Sequence, residues 1–247
     1  MADIITPTTI FLALLGGILP SVFWLWFWLK EDSLHPEPRN LIFLAFIGGM
    51  ITTIIAFFIE KFIAGYEDLS NFSLIFLWAV TEETLKFISI YIVALRTKYF
   101  DEPIDAVLYL VTVALGFAAM ENAMFLFNPL QKGDFFASIL LGDFRFIGAS
   151  LLHVATSGVI GVAMGLSFYY ARTKRILWMS VGLVSAIALH TAFNFSIIKS
   201  EGTAIYQIFA ILWVFIIGIL LVSERIKRMA PLQTTSFTGD RQASDEN

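Results

Sequence analysis

Seven apolar stretches of this 247-residue chain are long enough to cross a lipid bilayer as α-helices. A helix rises about 1.5 Å per residue and the hydrocarbon core is about 30 Å thick, so roughly 20 apolar residues span it. The stretches are residues 8–29, 41–59, 72–95, 104–127, 144–170, 176–198 and 203–222. Hydrophobic residues make up 58% of the chain, more than a soluble domain of this size can bury. The pattern predicts an all-α, polytopic membrane protein with about seven transmembrane helices.

The lysines and arginines on the short links between these stretches are distributed unevenly. One side carries Lys30, Arg39, Arg96, Lys98, Arg172, Lys174, Arg175, Arg225, Lys227 and Arg228. The other side carries Lys61, Lys132 and Lys199, with Arg145 near its edge. Because cytoplasmic links are enriched in basic residues, the N-terminus is predicted outside and the C-terminus in the cytoplasm. Residues 1–230 are expected to form one transmembrane domain, and the polar residues 231–247 a disordered cytoplasmic tail.

The third stretch carries charges that a spanning helix normally avoids. Its centre reads TEETLK, with Glu82, Glu83 and Lys86. Each ionisable side chain at the middle of a bilayer costs about 2.5–3.5 kcal/mol, so three cost about 8–10 kcal/mol. The spacing of Glu82 and Lys86 also allows a self-neutralising pair on one helix face. Intramembrane charges usually mark a functional site, and the third helix is therefore the first candidate.

Three more spans carry polar residues in short motifs. The fourth has Glu121 followed by Asn122, which could also cap a local helix break. The fifth has His153 with Ser157 four residues later, and the sixth has His190 with Asn194 four residues later. A spacing of four places both side chains on one face of a helix. Either histidine alone could simply join two helices through a hydrogen bond.

These polar residues are predicted to lie at a common depth. Counted from the outer end of each helix, Glu82 is about ten residues in, Glu121 about six, His153 about nine and His190 about eight. Rise per residue then puts them about 9–15 Å below the outer surface, although successive helices run in opposite directions. Small residues at every fourth position beside the histidines favour close helix contacts and point both rings into the bundle. The four groups are therefore expected to form one site.

The charge of that site leaves two chemical readings open. Glu82, Glu83 and Glu121 are acidic and only Lys86 opposes them. Either protons or a divalent cation must offset the remaining negative charge in a medium of low dielectric constant. Two imidazoles with carboxylates form a ligand set that zinc uses in hydrolytic sites. With no cysteine in the chain, a thiolate site is excluded, and a net charge of −4 argues against a nucleic-acid partner.

The ordered motifs resemble the PrsW family of intramembrane proteases, within the wider group of CAAX proteases and bacteriocin-processing proteins. The motifs are EExxK from Glu82 to Lys86, FxxxEN from Phe117 to Asn122, HxxxS from His153 to Ser157 and HxxxN from His190 to Asn194. The link His35-Pro36-Glu37-Pro38 is also similar, although His35 itself is predicted not to be a ligand. The resemblance implies a peptidase of the bacterial plasma membrane. The best-known role of the family is the first cut in an anti-sigma factor during a stress response.

The resemblance also suggests roles for individual residues. Glu82 is expected to be the general base, and Glu83 to complete the carboxylate pair by contacting a metal or by holding Lys86. The expected metal ligands are His153, His190 and Glu121, with zinc as the ion. We expect Asn194 to stabilise the oxyanion of the tetrahedral intermediate, with Lys86, Ser157 and Asn122 in support. A metal-free mechanism through glutamate stays open, as do a proton- or cation-coupled transporter and a catalytically inactive binding protein.

Overall fold

The computed structural model describes residues 6–30, 36–200 and 203–229, and these residues form helices joined by short links. The helices are α1 Pro7–Lys30, α2 Arg39–Ile63, α3 Asn71–Val93, α4 Asp105–Gln131, α5 Phe135–Phe144, α6 Ser150–Leu166, α7 Arg172–Lys199 and α8 Ile205–Lys227. A π-helical turn, Arg145–Ala149, joins α5 to α6, so that residues 135–166 form one continuous span. The predicted all-α architecture is confirmed.

Within the described part of the chain, six helical spans are both long enough and apolar enough to cross a membrane. The seventh predicted span is α3, which has 23 residues and contains Glu82, Glu83 and Lys86. All three of these charged side chains are buried in the protein. The structure therefore hides the charges of α3 from lipid, as a spanning helix requires.

The observed helix ends differ from the predicted ones most clearly around the fifth span. The sequence predicts a start at residue 144, but α5 begins at Phe135 because the Asp134 side chain accepts a hydrogen bond from the Ala137 amide. On the other side of the link, α4 continues past Pro129 to Gln131. The link is therefore shorter than residues 128–143, which the predicted spans leave between them, and Gly133 makes the turn with a φ of 72°. The predicted tail and His35 lie outside the described residues.

Helix α4 lies at the centre of the bundle and is buried along most of its length. It contacts α1, α2, α3 and α6, and glycines bring the backbones close together. A Cβ atom on Gly116 would overlap the carbonyl oxygen of Phe46 in α2, and one on Gly17 in α1 would overlap the carbonyl oxygen of Ala119. Gly161 of α6 lies equally close to the backbone of Val107. Such small-residue contacts fix the neighbours of α4 at short distances, which sets the frame for the polar residues.

A second polar cluster ties the link after α1 to the beginning of α4. The Tyr109 hydroxyl donates a hydrogen bond to the Glu37 carboxylate. The Asp105 side chain accepts hydrogen bonds from the backbone amides of Asp101 (2.9 Å) and Glu102 (2.7 Å). Burial raises the pKa of Glu37 above its ordinary value, and the negative charges of Asp101 and Glu102 act in the same direction. This cluster lies at the opposite end of α4 from Glu121.

Candidate active site

Helix α3 presents its charged residues to the interior of the bundle. The Ser70 side chain caps the helix by accepting a hydrogen bond from the Ser73 amide at 3.1 Å. About three turns later, Glu82, Glu83 and Lys86 face the space that α4, α6 and α7 enclose. Glu83 and Lys86 are fully buried, and Glu82 is 6% exposed. A charge buried this deeply needs a partner of opposite sign.

Lys86 is paired with Glu83 and not with Glu82. The Lys86 Nζ atom lies 2.6 Å from Glu83 Oε1, and the same oxygen lies 2.7 Å from His190 Nδ1. The i, i+4 pair that the sequence allows is therefore not formed. Of the two roles that the sequence left open for Glu83, the structure shows the contact with Lys86. This contact leaves Glu82 free for a different task.

The two histidines face Glu82 from different helices. His153 on α6 places Nδ1 at 3.8 Å from Glu82 Oε2, and His190 on α7 places Nε2 at 3.8 Å from the same atom. The centres of the two rings are 5.4 Å apart. Both rings are buried, and the Phe117 ring packs against His153 with its centre 5.1 Å away. Residues far apart in the sequence thus meet in one cluster, as the common depth predicts.

Each histidine is held by a carboxylate on the side away from Glu82. His190 Nδ1 contacts Glu83, and His153 Nε2 lies 3.0 Å from Glu121 Oε2. A carboxylate that accepts the proton of one ring nitrogen fixes the tautomer and directs the lone pair of the other nitrogen. The second nitrogen of each ring therefore faces the Glu82 carboxylate. The Glu121 carboxylate thus contacts the His153 ring on the side opposite to the nitrogen that faces Glu82.

Arg145 completes the surroundings of Glu121, a role that no sequence motif indicates. Its guanidinium forms an ion pair with Glu121, and its Nε atom donates a hydrogen bond of 2.6 Å to Asn122 Oδ1. The Asn122 amide in turn donates to the Ser150 hydroxyl at 3.0 Å. Arg145 also lies over the Phe125 ring at 3.9 Å. In the sequence, Arg145 counts only as a basic residue near the membrane edge.

The Glu82, His153 and His190 side chains make a group that could hold a metal ion. One donor atom from each lies within 4.8 Å of the other two, and no other such group of three occurs among the described residues. The Glu82 Oε2 atom is shielded from solvent and has no hydrogen-bond partner among residues 6–30, 36–200 and 203–229, as expected of an atom that contacts an ion or a water molecule. Lys86 Nζ lies 3.2 Å from His153 Nδ1, so an ion there must displace this contact. With that adjustment, the donor set suits a divalent ion.

The remaining predicted residues lie near the cluster with weaker contacts. Asn194 is half-buried on α7, one turn after His190, and lines a cavity that also contains the Glu82, His153 and His190 side chains. Ser157 is buried one turn after His153, but its hydroxyl has no hydrogen-bond partner among the described residues. The structure therefore places Asn194 where a substrate could reach it, and Ser157 away from any polar contact.

The cluster forms one wall of a large cavity. Its volume is about 1020 Å³, and its lining comes from α1, α2, α3, α4, α6, α7 and the π-helical turn. Most lining side chains are apolar, including Phe57, Met120, Met124 and Phe127. A mainly apolar cavity with a few polar groups at one wall is the usual form of a binding site for an extended or partly apolar ligand. Glu60, on α2, adds a further carboxyl group to this lining.

The chain is similar to known proteases along most of its length. Residues 37–221 match the family described as "PrsW family intramembrane metalloprotease". The protein "Protease PrsW" of Bacillus subtilis strain 168 is 26% identical over 211 residues, which cover 81% of this chain and 90% of the relative. "Protease PrsW" of Clostridioides difficile strain 630 is 25% identical over 214 residues, which cover 83% and 87%. No solved structure matches the chain significantly. Because the family match covers most of the chain, the protein belongs to the PrsW family of intramembrane metalloproteases.

Proposed function

We propose that the protein is an intramembrane endopeptidase that hydrolyses a peptide bond of a membrane-protein substrate near the outer face of a bacterial cell membrane. Its membership of a peptidase family and its helices of membrane-spanning length support the class of reaction. The observation that carries the proposal is the approach of His153 and His190 to the same oxygen of Glu82, at 3.8 Å each. The Glu82 side chain lines a cavity large enough for a segment of polypeptide.

In this proposal Glu82 acts as the general base. Its free Oε2 atom takes a proton from the attacking water, and the carboxyl group then returns this proton to the leaving amine. Glu83 and Glu121 keep the two imidazole rings oriented, and Lys86 and Arg145 offset the charges of those two carboxylates. Asn194 donates its side-chain N–H to the oxyanion that forms on the scissile carbonyl.

We further propose that His153 and His190 hold a zinc ion next to Glu82, whose carboxylate stays unbound to the ion so that it can act as the base. When bound, zinc would polarise the scissile carbonyl and increase the acidity of a bound water molecule. Glu121 was expected from the motifs to be a ligand, but its contacts with His153 and Arg145 support an orienting role instead. The substrate implied by the resemblance, an anti-sigma factor with one membrane span, is part of the same proposal.

A transporter is the main competing function, because intramembrane glutamates and histidines also relay protons. The two functions can be separated with purified protein in liposomes that contain a labelled single-span substrate. We expect wild type to cut the substrate, His190→Ala to leave it intact and to bind less zinc, and His35→Ala to match wild type in both respects. Metal-dependent transport of protons or cations across the liposome membrane, without cleavage of any substrate, would support the transporter and contradict the proposal. Full cleavage by metal-free protein would support the peptidase part of the proposal and contradict the zinc part.

A further inference from the structure

Glu60 is a carboxyl group in the cavity wall that the proposed chemistry does not use. It lies in the last turn of α2, which ends at Ile63. The Trp78 indole donates a hydrogen bond of 3.4 Å to the Glu60 backbone oxygen, which links this turn to α3. The Glu60 side chain is half-buried and lines the cavity together with Glu82 and His153. Its position next to the reacting groups requires an explanation.

The Glu60 carboxyl group has no dedicated cation. Its Oε1 atom is shielded from solvent and accepts no hydrogen bond from the residues that the structure describes, and the carboxyl group contacts that of Glu82. Within the described ranges, no lysine or arginine forms an ion pair with Glu60, since Lys86 and Arg145 pair with Glu83 and Glu121. Lys61, the next residue of α2, also lines the cavity, but it forms no ion pair with Glu60 in the part of the chain that the structure describes.

The rest of the cavity suits the hydrocarbon part of a basic side chain. Aromatic rings of Phe57, Trp78, Phe125 and Phe127 line it near Glu60 and Arg145. Lysine and arginine near the end of a membrane span lay their stems along apolar surface and extend the charged group toward the headgroups. Glu60 is one helical turn from the end of α2, which is the level where such a group is found.

We propose that Glu60 determines substrate specificity by binding a lysine or arginine side chain that lies close to the scissile bond. This inference rests on the proposed peptidase function, because it names the class of segment that the same site accepts. The carboxylate supplies a charge-assisted hydrogen bond that the structure leaves unmade at Oε1. Substrates with a basic residue at the end of their span are therefore preferred over those with a neutral residue there.

The test uses a series of fluorescent single-span peptides that differ only in lysine or glutamine at successive positions of the segment next to the span. We expect wild type to cleave the best lysine peptide at least about tenfold more efficiently, in kcat/KM, than its glutamine partner. A single charge-assisted hydrogen bond is large enough for this ratio. Glu60→Gln should bring the ratio close to one, and Glu60→Lys should favour a peptide with glutamate at the same position. Glu67→Gln, an exposed carboxylate in the turn after α2, serves as the matched control and should keep the wild-type ratio.

Binding of the same peptides to the His190→Ala protein, measured by fluorescence anisotropy, separates this inference from the proposed function. One outcome is that wild type cleaves no peptide, but that adding Glu60→Gln to the His190→Ala protein still removes the preference for binding lysine peptides. In that case the peptidase proposal fails and the role of Glu60 stands. Equal handling of lysine and glutamine peptides by wild type overturns the inference. So does a Glu60→Gln protein that weakens all peptides equally, or one that loses bound zinc and keeps the lysine preference.

Discussion

The ammonium group of Lys86 lies 2.6 Å from Glu83 Oε1, and both side chains are completely buried. This pairing gives the two consecutive glutamates, Glu82 and Glu83, different surroundings. Lys86 compensates the charge of Glu83, which also holds His190, whereas one oxygen of Glu82 has no hydrogen-bond partner in the described part of the chain. Glu83 is thus part of the framework of the site, and Glu82 faces the cavity.

Changing each glutamate to glutamine should therefore affect a different property: turnover for Glu82 and stability for Glu83. Glu82→Gln removes the general base, so turnover should fall by about 10²–10⁴-fold. Its thermal stability should hold, because the change also removes a buried charge without a lysine or arginine partner. Glu83→Gln leaves Lys86 buried without its counter-ion, which typically costs about 3–5 kcal/mol. Cleavage assays and thermal unfolding in detergent distinguish the two results, with Glu67→Gln as the control. Equal loss of stability in both variants would contradict this division.

Replacing Lys86 should strengthen metal binding. Lys86 Nζ lies 3.2 Å from His153 Nδ1, so it competes with an ion for that nitrogen, and its positive charge repels the ion. Lys86→Met keeps a similar length without the charge, and the zinc affinity should rise by roughly tenfold, or about 1.4 kcal/mol. Calorimetric titration of the purified protein with zinc measures this change. A lower affinity in Lys86→Met would mean that Lys86 organises the ligands instead of competing with the ion.

Arg145 and Glu121 should behave as one unit. If Arg145 acts by holding Glu121 against His153, then Arg145→Gln and Glu121→Gln should each reduce cleavage by about 10–100-fold, which is typical for groups that orient a metal ligand. The double variant should cleave no more slowly than the less active of the two single variants. Arg145→Lys should recover part of the loss, because it restores the charge but not the planar fork. Additive losses would show that the two residues act separately.

The cluster around Glu37 predicts a pH-dependent stability. The pKa of Glu37 is raised above its ordinary value of 4.5, so the folded protein binds this proton more tightly than the unfolded chain. The resulting contribution is fully present below about pH 4.5 and is lost as the pH rises through the raised pKa. Glu37→Gln should flatten the fall in unfolding temperature between acidic and neutral pH. Glu67→Gln is again the control, and a pH dependence unchanged in Glu37→Gln would contradict the prediction.

The orientation in the membrane is still a prediction from the basic residues alone. Since the chain lacks cysteine, single reporters can be introduced. Lys132→Cys, between α4 and α5, should react with an impermeant thiol reagent in intact cells, and Thr173→Cys, at the start of α7, only after lysis. Position 132 is preferable to the adjacent Gly133, whose positive φ disfavours a side chain. The reverse labelling pattern would place the cavity on the cytoplasmic side.

The sequence predicts the helices well because the bilayer imposes a length and an apolar composition on each span. It also predicts that Glu82, His153 and His190 meet, since their depths agree. It does not predict that Lys86 selects Glu83, because the spacings of three and four are nearly equivalent on an isolated helix. It misses Glu60, which lies near the end of α2, where charged residues are ordinary. It also misses Arg145, because the predicted span 144–170 puts this residue at its edge, whereas the observed span begins at Phe135. Only packing shows that both residues turn toward the cavity.

The distance along the chain between Glu83 and His190 has a consequence for biosynthesis. Their hydrogen bond joins residues 107 positions apart, and α3 is marginal as an isolated membrane helix. At about 5–20 residues per second, the ribosome needs roughly 5–20 s after synthesising α3 before α7 can supply its histidine. During that interval the Glu83–Lys86 pair of α3 lacks its contact with His190, and the hydrolytic cluster is incomplete. The nascent chain therefore cannot cut its neighbours while it is being made, and a truncated product offers quality-control proteases an unstable third helix.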